Sequence, residues 1–138
     1  MTTYTFVVPG KPKGKPRPGA RTNPKTGKAF TYQPGAGEWR AEVASLAMKT
    51  GMQPVDGPVF VNVKVTKRIA DSWTKKKKAE ALSGERWCIA TPDSANVQAE
   101  IHDALEGVAA HNDRQIVGGS FERRWGERDY TEIEVTQG

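Results

Sequence analysis

The chain has 138 residues, of which 36% are hydrophobic and 27% are charged, and its formal net charge is +5. That length suits one domain with one core over residues 1–138, and the composition excludes a fibrous or wholly disordered protein. No apolar run approaches the ~20 residues that span a bilayer, and the N-terminus lacks the features of a signal peptide, so we expect a cytoplasmic protein without membrane contact.

The N-terminal quarter is predicted to be a strand followed by a basic loop. Residues 3–8 (TYTFVV) are β-branched and aromatic and end at a Pro-Gly turn, which indicates a strand. Residues 9–35 are predicted to be a Pro/Gly-rich loop. Interleaved proline and glycine exclude a helix or a strand ladder over residues 11–28, and residues 30–32 are predicted to be a short extended piece. No acidic residue lies among the cations of this loop, which are Lys11, Lys13, Lys15, Arg17, Arg21, Lys25 and Lys28. A basic surface of this kind favours nucleic acid as the partner.

A helix and a strand are predicted next. The helix begins near residue 37, ends before Gly51 and buries Trp39 in the core. Its apolar residues at helical spacing are Trp39, Val43, Leu46 and Ala47. The alternation VFVNVKVT over residues 59–66 predicts a strand whose valines form one covered face.

The second half of the chain continues with helices and then strands. Ser72 is the predicted cap of a surface helix that ends at Gly84 and whose lysines, Lys75–Lys78, mainly solvate it. The remaining predictions are a short strand over residues 87–89, a helix over 94–106, a strand from about 114 that is broken at 118–119, and a last strand over 130–135. This order favours a mixed α/β (α+β) domain with one mixed β-sheet partly covered by helices.

Acidic residues gather around the predicted helix over residues 94–106. At 100° per residue one arc faces the core and consists of Val97, Ile101, Ala104, Leu105 and Val108. A separate arc carries Asn96, Ala99, Glu100 and Asp103. Asp93 lies at the helix entrance, where the helix dipole favours a carboxylate, and Asp113 follows in the next loop.

Carboxylates in a basic chain are typical of a magnesium site that acts on a phosphodiester. Asp93, Asp103 and Asp113 could converge as such a site, with the basic loop tracking the phosphates. The alternative is structural: Asp93 caps the helix, Glu100 and Asp103 are solvated, Asp113 lies in a turn, and the basic loop is a flexible arm.

Other catalytic chemistry finds little support. Cys88 is the single cysteine and has no neighbour at zinc-ligand spacing, so a buried structural thiol is predicted. The two histidines, His102 and His111, stand at no spacing that indicates a metal site or a catalytic triad. Nucleophilic catalysis by serine or cysteine is therefore not expected.

Three segments resemble the signature of the RusA family of Holliday junction resolvases. They are PDSANV (residues 92–97), DALEG (103–107) and NDRQIV (112–117), similar to the family patterns PD-x-DNL-x-K, D-A-L-x-G and DD-x-Q-I. The N-terminal VPGKPKGKPRPG also resembles the family's basic opening, and GPVFVNVKV resembles its central strand. The resemblance covers most of the chain in the family's order.

The resemblance implies a homodimeric, Mg²⁺-dependent endonuclease of mixed α/β fold that nicks four-way DNA junctions in recombination and repair. Branched DNA is then the partner, and no small-molecule cofactor is expected. The family's acidic residues correspond to Asp93, Asp103 and Asp113. Its DNA-contacting cations correspond to Lys11, Lys13, Lys15 and Arg17, with Arg21 in the same loop, and Arg123 or Arg124 on the later strand.

This sequence departs from the family pattern at three positions. Ala95 replaces the second aspartate of PD-x-D, Ala99 replaces the lysine, and Asn112 replaces the first aspartate of the DD pair. Glu100 could supply a missing metal ligand, or the protein could bind junctions with little or no catalysis, or the alanines could have been introduced. A different class, a small basic structural or assembly protein, also stays open.

Overall fold

A computed structural model describes residues 1–13, 19–22, 29–32 and 37–138 of the chain. The described elements comprise strands, three α-helices and one short 3₁₀-helix. In chain order they are β1 (Thr2–Pro9), β2 (Gly19–Thr22), β3 (Ala29–Tyr32), α1 (Glu38–Lys49), β4 (Val59–Arg68), α2 (Lys75–Ser83), α3 (Ser94–Leu105), η1 (Asp113–Gln115), β5 (Ile116–Gly126) and β6 (Tyr130–Gln137). No helix in these ranges is long and apolar enough to cross a membrane.

One mixed sheet organises the domain, with strand order β1-β6-β4-β5. β6 pairs antiparallel with both β1 and β4, whereas β4 and β5 are parallel. Parallel neighbours need a long crossover, and the chain between β4 and β5 supplies it with α2, α3 and η1. The predicted single mixed α+β domain with one mixed sheet partly covered by helices is confirmed.

The core lies between one face of this sheet and helices α1 and α3. The predicted valines of β4 are buried, and Trp39 is only 4% exposed, as the helical spacing predicts. From α3 the core receives Val97, Ile101, Ala104 and Leu105. The opposite sheet face is polar, since Asn62 Nδ2 donates to Glu134 Oε1 at 2.9 Å and Ser120 Oγ donates to Asn62 Oδ1 at 3.0 Å. The alternating pattern therefore places α3 on the apolar side.

The prediction that no ladder forms within residues 11–28 is wrong, whereas residues 30–32 are extended as predicted. β2 and β3 pair antiparallel, from Gly19 opposite Tyr32 to Thr22 opposite Ala29. Neither strand contains proline, so every residue in them keeps the N–H that a ladder needs. Four of the predicted DNA-contacting or loop cations, Lys15, Arg17, Lys25 and Lys28, lie outside the described residues.

Two local predictions are corrected between β4 and α3. The cap of α2 is Thr74, whose Oγ1 accepts the Lys77 N–H at 3.2 Å, and not Ser72. Gly84 ends this helix as predicted, with a left-handed φ of 86°. Residues 87–89 form no strand. In place of a ladder, side chains of β5 donate to main-chain carbonyls of this connection, from Trp125 to Trp87 and from Arg123 to Ala90.

The predicted break at residues 118–119 is a local irregularity in a continuous β5. The β4–β5 register shifts between Val59 and Phe60, and Gly119 adopts a φ of +147°. A Cβ at Gly119 would stand 1.7 Å from the Val61 carbonyl oxygen, so only glycine allows this approach.

Gly119→Ala is expected to lower the free energy of unfolding by more than about 4 kcal/mol, because the clash is with backbone. Gly84→Ala is the matched control. It also has positive φ but open space around a Cβ, so it should cost about 1 kcal/mol. Urea denaturation measures both variants, and equal losses would contradict the steric account.

Candidate active site and nucleic-acid interface

Asp93 is the N-cap of α3. Its Oδ1 accepts the Asn96 N–H at 2.9 Å, and its Oδ2 accepts from Asn96 Nδ2 at 3.3 Å. The residue is exposed, so the carboxylate keeps unused lone pairs toward solvent. The capping role is therefore present, and it holds the carboxylate in one orientation at the positive end of the helix.

Arg123 of β5 holds the chain just before Asp93. Its Nη1 donates to the Ala90 carbonyl at 2.6 Å, and its Nη2 donates to the Pro92 carbonyl. Successive residues of a strand face opposite sides, so Arg124 points to the other sheet face. There its Nε donates to Thr66 Oγ1 at 3.1 Å and its Nη2 to the Tyr130 hydroxyl at 3.3 Å. Of the two predicted arginines, Arg123 is the one beside Asp93.

Asp103 and Asp113 lie at the opposite end of α3. Burial lowers the pKa of half-buried His102, and the charges of Asp113 and Asp103 partly offset this shift. Both carboxylates are thus within electrostatic reach of the His102 ring. Asp93 caps the first turn of α3 and Asp103 lies in its last turn, which separates them by about 15 Å along the axis. The structure does not bring Asp93 to the end where Asp103 and Asp113 lie.

The turn that carries Asp113 is fixed by a capping box that the sequence interpretation missed. Asn112 Oδ1 accepts the Arg114 N–H at 3.0 Å, and Gln115 Oε1 accepts the Asn112 N–H at 2.9 Å. Gln115 Nε2 also donates to the Val55 and Gly57 carbonyls, at 2.7 and 3.0 Å. The N-x-x-Q spacing was the available signal. Asn112, which replaces a family aspartate, therefore serves as a cap.

Glu100 is bound by an arginine that the sequence interpretation also missed. Its side chain is 2% exposed, and both oxygens accept from Arg40, with Nε to Oε2 at 3.1 Å and Nη2 to Oε1 at 3.0 Å. This hydrogen-bonded pairing raises the pKa of Arg40, against an opposing effect of burial. Arg40 Nη2 lies 3.9 Å from Asp103 Oδ2 as well. The predicted metal role of Glu100 would use its two carboxylate oxygens, and both of them accept hydrogen bonds from Arg40 in this structure.

The start of the basic loop lies beside the chain that leads to Asp93. Lys11 and Pro12 line a shallow cavity together with residues 90–92 and Arg123. Lys13 is exposed and its Nζ lies 3.3 Å from Glu38 Oε2, a surface pair that contributes little to stability. Arg21 lies in β2. Lys11 is therefore the described cation of the basic loop that lines the cavity beside the chain leading to Asp93.

The described carboxylates suit a magnesium ion that takes only one or two protein ligands. In the part of the chain that the structure describes, no three His, Cys, Asp or Glu side chains are grouped to hold a metal. Magnesium usually takes one or two protein carboxylates and completes its shell with water and phosphate oxygens. Asp93 alone, or Asp103 with Asp113, fits that pattern.

Cys88 is unsuited to nucleophilic chemistry, because burial raises the pKa of its thiol.

Comparison with known proteins identifies the family. The family model described as Endodeoxyribonuclease RusA matches residues 9–136. The chain is also similar to the uncharacterized protein YqaN of Bacillus subtilis (strain 168), with 26% identity over 141 residues that cover 99% of this chain and 98% of that protein. The family match includes α3, the turn of η1 and the arginines of β5. This chain therefore belongs to the RusA endodeoxyribonuclease family.

Proposed function

We propose that this protein is a magnesium-dependent endonuclease that nicks four-way DNA junctions in recombination and repair. The observation that carries the proposal is the family match over residues 9–136, a range that includes Asp93, Asp103 and Asp113. The net charge of +5 is consistent with a polyanionic substrate.

The proposed catalytic and metal-holding carboxylates are Asp93, Asp103 and Asp113. Glu100 is left out of this set because Arg40 occupies both of its oxygens. A magnesium ion bound at Asp93, or at Asp103 and Asp113 at the other end of α3, would activate a water molecule and neutralise charge that develops on the phosphate. Asn96 orients the Asp93 carboxylate, and the Asn112 cap orders the turn before Asp113.

The proposed DNA surface consists of cations that neutralise backbone phosphates. It comprises Lys11, Lys13, Lys15, Arg17, Arg21, Arg123 and Arg124. Arg123 binds two carbonyls and still has N–H groups for a phosphate, since a guanidinium carries five. A four-way junction has two-fold symmetry and needs two cuts, so we propose that the active species is a homodimer.

A second candidate function is junction binding with weak or no catalysis. Ala95 and Ala99 offer neither a carboxylate nor a cation, and Asn112 is used as a cap. Losing one preorganised charge contact typically lowers a rate by about 10²- to 10³-fold. A protein that has lost catalysis through these replacements would still bind DNA through its fold and its basic surface.

The test compares the protein with an Asp93→Asn variant on a synthetic four-way junction and on a matched duplex, with magnesium and with EDTA. Asparagine is as good an N-cap as aspartate, so the variant removes charge and preserves α3. We expect symmetric, magnesium-dependent nicks on the junction, and a rate about 10²- to 10³-fold lower for the variant at unchanged melting temperature.

The binding data separate the alternatives. Junction binding without nicking, with a log-log salt slope of about −0.9 per phosphate contacted, would support the second candidate. Absence of both nicking and junction binding would favour a structural or assembly protein.

A further inference from the structure

The segment over residues 87–92 is held by its main chain. Trp125 Nε1 donates to the Trp87 carbonyl at 3.3 Å, and Arg123 donates to the carbonyls of Ala90 and Pro92. Both donors belong to β5, the strand at one edge of the four-stranded sheet. The segment therefore has a fixed path, although it has no regular secondary structure.

The large side chains of this segment point into solvent. Trp87 is 83% exposed and Ile89 is 88% exposed, whereas Cys88 between them is half-buried. Tryptophan is usually well covered in folded proteins, so a tryptophan exposed to this degree on a fixed main chain is informative. Its indole faces are available to a flat partner and need no rearrangement of the main chain.

Two cations lie against Trp73, the aromatic neighbour of Trp125, which binds this segment. Trp73 and Trp125 pack edge to face with centroids 4.8 Å apart, and Lys77 Nζ lies 3.9 Å from the centroid of Trp73. Arg86, which directly precedes Trp87, lies 5.9 Å from the same ring and pairs with Glu80 at 3.1 Å. Lys77 is thus more than a solvating charge, because it lies over an aromatic ring beside the segment.

We propose that Trp87 is a stacking platform for an unpaired base of branched DNA. An exposed aromatic ring beside cations that hold the backbone is the combination that binds single-stranded nucleic acid. Bases inside a duplex are stacked on one another, whereas the branch point of a junction can present an unpaired face. Lys77, which lies over the neighbouring Trp73 ring, favours a polyanionic partner over a protein, because lysine is depleted at protein interfaces.

The position of Trp87 connects it to the proposed cleavage site. Asp93 is six positions after Trp87, which is at most about 20 Å of extended chain. A base on Trp87 would therefore hold the strand within a few nucleotides of that carboxylate. This inference rests on the proposed function and adds the feature that would select branched DNA over duplex.

The experiment measures the affinity of the full-length protein for three probes: a four-way junction with 2-aminopurine at the branch point, a 2-aminopurine single strand, and a duplex. Trp87→Ala is expected to weaken binding of the junction and the single strand by about 10-fold, to leave duplex binding unchanged, and to abolish the quenching of 2-aminopurine. Trp87→Phe should retain most of the affinity. Ile89→Ala is the matched control on the same segment and should behave as the unchanged protein.

Unchanged junction affinity in Trp87→Ala, or an equal loss on duplex, would overturn the proposal. So would conversion of a dimer to a monomer in sedimentation, which would assign the exposed tryptophan to a second copy of the chain. Stacking on the single strand without any junction binding would contradict the proposed function and would still support Trp87 as a stacking platform. If neither Trp87→Ala nor Trp87→Phe changes the rate of junction nicking, the stacking platform is contradicted and the proposed function is not.

Discussion

Replacing Ala95 with aspartate and Ala99 with lysine is expected to raise the rate of junction nicking by about 10²- to 10³-fold. Ala95 is exposed in the first turn of α3, two residues after Asp93, so an aspartate there adds a second carboxylate at the helix N-terminus. Position 99 lies one turn further on the same face and would present a cation to the phosphate. The two side chains also form a favourable pair at i and i+4.

Single-turnover nicking of a labelled four-way junction at a series of magnesium concentrations measures this effect. The control variant carries Ala95→Asn with Ala99→Gln, which has similar side-chain volume and no added charge. If the charged variant shows no nicking even at high protein and metal concentrations, the enzymatic proposal fails. If both variants gain equally, the gain comes from helix stability and not from charge at the site.

Arg40→Met is expected to lower the free energy of unfolding by about 3 kcal/mol. The variant leaves the carboxylate of Glu100, which is 2% exposed, without its two arginine hydrogen bonds. We expect the lower end of the range for buried pairs, because the Arg40 side chain is itself 35% exposed. Adding Glu100→Leu to Arg40→Met should recover most of the loss, since no charge is then buried.

Urea denaturation of the two single variants and the double variant gives the coupling energy. The comparison variant is Arg68→Met, which breaks the exposed pair with Asp71 and should cost less than about 1 kcal/mol. A loss in Arg40→Met no larger than in Arg68→Met would show that water, and not Arg40, compensates Glu100. A double variant as unstable as Arg40→Met would show that the arginine acts through packing.

The sheet and its covering helices could be predicted because their sequence periods are regular. The alternating valines of β4 and the helical spacing of Val97, Ile101 and Ala104 each define one buried face, and the structure buries those faces. The hairpin of β2 and β3 was missed because a ladder depends on the pairing of two short segments, which composition does not reveal. Residues 87–89 have strand-like side chains, but no neighbouring strand pairs with them.

The candidate site could be located from the sequence only in part. Family spacing points to α3 and its flanks, but it does not give distances between side chains. Arg40 and Glu100 are 60 positions apart in the sequence, and no local pattern predicts that they pair. The separation of Asp93 from Asp103 follows from the rise of a helix once its ends are known. The N-x-x-Q spacing that predicts a cap at Asn112 is present in the sequence. It was overlooked because position 112 was compared only with the aspartate pair of the family pattern.

The way β5 holds residues 87–92 has a consequence for sequence change in this protein. Arg123 and Trp125 donate to carbonyl oxygens, which every residue type possesses. The path of residues 87–90 therefore does not depend on the side chains at positions 87 and 89, which point into solvent. Substitutions at Trp87 could retune which DNA shapes are preferred without displacing the carboxylate six positions further along the chain. Substrate preference and chemistry can then vary independently.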